Sequence, residues 1–106
     1  MRLVELHPRW VGAGGDGISD RDGNPAPLRK GVGVMFDCPC GAGHEDPRCY
    51  VPFLNPLDGG PALELERPNW TRTGETFETL TLAPSVHRIG ACGWHGFIVD
   101  GNCVVA

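Results

Sequence analysis

Thiols and imidazoles gather in two short stretches of this 106-residue chain, Cys38-Pro39-Cys40-Gly41-Ala42-Gly43-His44 and Cys92-Gly93-Trp94-His95-Gly96. The first offers two sulfurs one residue apart with an imidazole close behind. The second offers a sulfur and an imidazole with two residues between them, a spacing that lets one tight turn aim both at a single ion. Thiolate and imidazole are the ligands a tetrahedral Zn²⁺ prefers, at about 2.0 to 2.3 Å. Cys38, Cys40, Cys92 and His95 make the best set of four. His44 is the substitute ligand where two thiolates so close in sequence do not both reach. Trp94 stands between two of these residues, placed either to shield an ion from water or to anchor a partner as a partner-binding residue.

Such ligands need elements to bring them together, and composition restricts which. One domain is the most that 106 residues supply, and a core of that size gains from a metal or a partner. Sixteen glycines and ten prolines fall between short apolar runs, which implies many turns and few helices. Five cysteines are an odd number, and the N-terminal MRLVELHPRW is interrupted by Glu5, His7 and Pro8 before an export signal could form. Ligands are therefore a better reading of the thiols than a disulfide framework. Cys49 opens the apolar run CYVPF and Cys103 lies within NCVVA, so both are expected in the core. A net charge of −4 with scattered basic residues excludes a nucleic-acid partner, and the absence of a long apolar run excludes a membrane span. A soluble chain, cytoplasmic where it is made, is expected.

Along the chain, RLVEL reads as a first strand, and residues 11–31 read as a long loop rich in turn formers that orders against a partner. The acids of DGISDRDGNP within it do not follow the spacing of a calcium-binding EF-hand loop. VGVMFDC and CYVPF are strands flanking the first ligand loop. ALELER alternates as a half-wet strand, and TLTLAPS is a strand stopped at Pro84. The terminal GFIVDGNCVVA is a hairpin turning at Asp100-Gly101. No segment holds a helical period over three turns. The predicted fold is all-β, or β-dominated small α+β: a compact antiparallel sheet or barrel-like domain over residues 1–106, with long Gly/Pro-rich loops stapled by the metal site.

The motifs GVGVMFDCPCG, NWTRTGETFETLTLAPSVHR and CGWHGFIVDG, in this order, resemble a small domain family of phages, prophages and bacteria. That family is typified by an F-x-C-P-C knuckle, a T-L-x-P-S segment and a late C-x-x-H, and some members carry the label ammonia monooxygenase. The resemblance runs from Gly31 to Val104 and implies a metal-binding β domain of phage type, with Cys38, Cys40, Cys92 and His95 as ligands. Locally, Cys92-Gly-Trp-His95-Gly-Phe97 is similar to the second cluster loop of Rieske proteins, which implies a [2Fe–2S] alternative. The first Rieske loop is C-x-H, however, where this chain has Cys38-Pro39-Cys40.

The expectation that follows is a zinc-binding structural or protein-interaction module, a virion component or phage accessory. Its partners would be another protein or further copies in a homo- or hetero-oligomeric assembly. The alternatives are a zinc-dependent hydrolase, with Glu45 or Asp46 as base, and a Rieske-like electron carrier.

Overall fold

A computed structural model describes residues 1–13, 29–40, 48–62, 68–87 and 93–106. Among the described residues, eight strands follow one short 3₁₀ turn, Leu3–Leu6: β1 Arg9–Ala13, β2 Arg29–Asp37, β3 Arg48–Pro52, β4 Thr71–Thr73, β5 Thr81–Ala83, β6 Val86–His87, β7 His95–Val99 and β8 Asn102–Val105. They form three antiparallel sheets, ordered β1-β2-β3, β4-β5 and β6-β7-β8. The fold is the all-β architecture expected from composition and alternation. Among the described residues no helix is long and apolar enough to cross a membrane.

The sheets share one core. Val34 and Phe36 of β2, Cys49 and Val51 of β3, Leu82 of β5, Val86 of β6, Ile98 of β7 and Cys103 of β8 meet there with Leu3, Leu6, Phe53 and Leu80. Cys49 and Cys103 are buried as predicted, and burial pushes the Cys103 thiol up to about 11. The hairpin is also as predicted. Asp100 and Gly101 both take positive φ, 46° and 73°, the left-handed pair that matches the twist of two antiparallel strands.

Several elements differ from the sequence reading, and β4 and β6 lie where it assigned no strand. Residues 3–6 form a 3₁₀ turn instead of a strand. Three residues per turn place Leu3 and Leu6 on one side, where both are buried, whereas a strand would have put them on opposite faces. The assignment of residues 11–31 to a loop does not hold at its two ends. Val11 to Ala13 belong to β1 and Arg29 to Gly31 to β2, and the two strands pair with a register shift between Val11 and Ala13. Residues 14–28 lie outside the described residues, as does most of the predicted ALELER strand.

Backbone hydrogen bonds fasten the sheets to one another. Trp70 donates its N–H to Pro52 O and accepts from Leu54 N, at 2.9 and 2.8 Å, joining the end of β3 to the start of β4. Gly101 N donates to Leu80 O at 2.8 Å, and Asp100 N to Thr81 Oγ1 at 3.0 Å, so the tip of the last hairpin rests on the β5 segment.

An ion pair closes the far end of β2. Arg29 Nε donates to Asp58 Oδ2 at 2.6 Å and Nη2 to Asp58 Oδ1 at 3.1 Å, and Nη2 also reaches Pro61 O. Asp58 is held well below the usual carboxylate range, first by this guanidinium and then by the Gly60 N–H. A carboxylate whose pKa is lowered by folding adds stability above its unfolded pKa, near 4, and the contribution is lost as pH falls through the lower folded value. Thermal melting should therefore separate wild type from Asp58→Asn at pH 6, with the gap narrowing steadily below about pH 4. A gap independent of pH would assign the effect to packing.

Candidate active site

The site grows from the pairing of β6 with β7. Val86 stands opposite Gly96 and His87 opposite His95. Because alternate residues of a strand face opposite ways, Val86 and Ile98 point into the core while His87, His95 and Phe97 point outward. Ser85, one residue before β6, falls on the same outward side. Its Oγ lies 2.8 Å from His95 Nε2. Ser85 is half-buried and His95 exposed, so a substrate can approach both.

Three features hold this pair. The indole Nε1 of Trp70 donates to Ser85 O at 3.1 Å, and Trp70 is itself tied on both backbone sides to the β3 end. The His87 ring stacks on that of His95, with centroids 4.5 Å apart and planes at 20°. The Ala106 N–H donates to His95 O at 3.0 Å, fixing the start of β7 from the C-terminal side. Gly96, next to His95, is required to be small. A Cβ there would run into Val104 O and into the Trp94 ring, at 2.6 Å from its Cζ2. Trp94 is half-buried and packs against the core, covering the strand that carries His95.

Hydroxyl and imidazole at this distance are the geometry of a nucleophile and its general base. With the proton on Nδ1, His95 Nε2 accepts from the Ser85 O–H and can draw the proton off as the oxygen attacks. Among the described residues no carboxylate hydrogen-bonds His95, and the contact made by His87 is ring stacking, which restrains the imidazole plane.

Cys38 and Cys40 form the turn that leaves β2, Cys38 buried and Cys40 half-buried. The foot of this turn is firmly held. Arg48 Nη1 donates to Asp37 Oδ1 at 2.8 Å and to His7 O at 3.1 Å, and His7 Nδ1 meets Asp37 Oδ2 at 2.8 Å. These contacts, Arg48 first and His7 second, lower the Asp37 pKa. Among the described residues no three His, Cys, Asp or Glu side chains cluster to hold a metal ion. Cys92 and His44, on which the expected ligand set depends, lie outside the described residues. Of that set, His95 is the residue the structure joins to Ser85.

Sequence reasoning passed over Ser85. PSVH carries none of the glycine spacing that marks a nucleophile elbow, and a serine ahead of a strand is commonplace. The usable signal was positional: a serine before one short strand and a histidine opening the next antiparallel partner, with a second histidine, His87, between them in sequence.

The family model described as "Bacterial ubiquitination-like system serine protease (BubE)" matches residues 22–106, which include Ser85, His87 and His95. No curated protein and no solved structure matches the chain. With most of its length covered by that model, the chain belongs to the BubE family.

Proposed function

We propose that the protein is a serine peptidase in which Ser85 is the nucleophile and His95 the general base, acting on a polypeptide partner within a bacterial ubiquitination-like system. The 2.8 Å contact between Ser85 Oγ and His95 Nε2 carries the proposal, and the description of the family supports it. Ser85 Oγ attacks the scissile carbonyl carbon as its proton passes to His95 Nε2. The tetrahedral adduct collapses with cleavage of the C–N bond, and the leaving amine takes the proton from His95. A water molecule then adds to the acyl-serine, giving its proton to His95, and the ester C–O bond breaks as His95 passes that proton to Ser85 Oγ, releasing the acid and restoring the hydroxyl.

In this reading His95 is occupied by Ser85, and a zinc staple would fall to Cys38, Cys40 and Cys92 with His44 as the fourth ligand. Zinc so enclosed by protein ligands supplies folding energy and takes no part in hydrolysis. The phage-type role and the [2Fe–2S] alternative rest on motif resemblance alone and do not enter the mechanism.

The test is covalent labelling of the full chain with a fluorophosphonate, which reacts with activated serines, followed by mapping of the adduct. Modification at Ser85 that is lost in His95→Gln is expected; an unmodified Ser85 overturns the proposal. Trp70 provides a finer check. Trp70→Phe keeps an aromatic side chain, though a smaller one, and removes the donor to Ser85 O, so kcat should fall about tenfold with KM little changed, as expected for a misplaced nucleophile. Unchanged kcat would show that this hydrogen bond does no positioning.

A further inference from the structure

Antiparallel sheets with one face on the core usually present polar side chains on the other. The β7-β8 hairpin departs from this. Its outward positions are Phe97, Val99 and Val104, exposed by 42%, 44% and 49%, while Ile98 and Cys103 between them are buried. Phe97 stands directly opposite Val104, so the two form one cross-strand apolar pair. His95 lies on the same face two residues before Phe97, and the polar Asp100 and Asn102 end the apolar stripe at the hairpin tip.

The spacing suits one kind of occupant. Along β7 the outward residues His95, Phe97 and Val99 follow one another at about 6.6 to 6.8 Å, which is also the distance between alternate side chains of any extended peptide. A substrate whose scissile carbonyl sits at Ser85 and His95, and which runs along the hairpin, would lay its alternate side chains over the Phe97-Val104 pair and then over Val99. We infer that the outward face of β7-β8 is the substrate-binding surface of this site, selecting an extended polypeptide with apolar side chains at alternate positions beside the scissile bond. The inference rests on the Ser85-His95 reading and adds the substrate class to it.

Binding is read without turnover in the Ser85→Ala full chain. The probes are a capped hexapeptide with leucine at alternate positions and its twin with aspartate at those positions. The leucine peptide should bind at least about tenfold tighter, the lower end of what a single methylene is worth even in an enclosed apolar site. Amide shifts in ¹H–¹⁵N spectra should centre on Phe97, Val99 and Val104. Adding Phe97→Ser and Val104→Ser should remove the discrimination while the spectrum keeps its folded dispersion, both side chains being exposed. Equal affinity for the twins, or shifts elsewhere, overturns the inference. So does a self-associating wild type that Phe97→Ser renders monomeric, because the face would then belong to a second copy. Fluorophosphonate labelling of wild type separates the two levels. Labelling at Ser85 without discrimination between the peptides sinks the surface and spares the dyad. Discrimination without labelling removes the hydrolytic role, and with it the inference that the face serves a scissile bond.

Discussion

Ser85→Ala will reduce peptide-bond hydrolysis by at least about 10⁴-fold in kcat while leaving the fold in place. The large effect comes from losing the covalent route, since the mechanism has no other attacking group at the site. The small structural effect follows from what Ser85 touches. Its side chain contacts a surface histidine, and the hydrogen bond from Trp70 goes to its backbone carbonyl, which alanine keeps. Melting should move by no more than an ordinary surface substitution, within about 0.5 kcal/mol. Combining Ser85→Ala with His95→Gln should cost little beyond the serine change alone, because groups that act as one unit are not additive. A doubly substituted protein much slower than Ser85→Ala would show that His95 works on something other than this hydroxyl. Full retention of hydrolysis in Ser85→Ala would remove the nucleophile assignment.

How much of this was legible in the sequence depended on how local the cause was. The last hairpin was readable because Asp100-Gly101 demands its turn whatever else the chain does, and the flanking alternation puts Ile98 and Cys103 inside. The same alternation puts Phe97 on the outer face, where an aromatic side chain is 42% exposed, but alternation alone does not say what covers it. Strand β1 was hidden for a different reason. Trp10 and Val11 favour a strand, but Gly12 and Ala13 do not and turn formers follow at once, so the strand shows only in its pairing with β2. The nucleophile was the least legible feature. Ser85 and His95 are ten residues apart, and what brings them within 2.8 Å is the pairing of His87 with His95, a contact between strands that no spacing rule encodes. Attention to His95 was justified by its position on a strand end beside Cys92, but the chemistry first attached to it was ligation.

The two roles for His95 make opposite predictions, so substituting it is the most informative single change. As a general base, His95 contributes about 10²- to 10⁴-fold to the rate, and His95→Gln should lower kcat by that factor. Glutamine should preserve the strand: its backbone carbonyl still accepts from Ala106 N, and His95 is exposed, so melting should be little altered. Metal content, measured by elemental analysis of protein purified without added zinc, should equal that of wild type. As a ligand, His95 would behave otherwise, since losing one of four ligands releases the ion and the folding energy it provides. His95→Gln would then lower metal content and melting temperature together, and hydrolysis would fail through unfolding. Cys92→Ser supplies the crossed comparison: under the proposed zinc staple its thiol would be a ligand in either case, and its loss should reduce both metal content and melting temperature. A His95→Gln protein that is folded, metal-replete and inactive, beside a Cys92→Ser protein that is metal-poor and thermally weakened, assigns the imidazole to Ser85 and the thiol to the metal. Matching losses of metal and stability in the two variants would return His95 to the ligand set and leave Ser85 without its base.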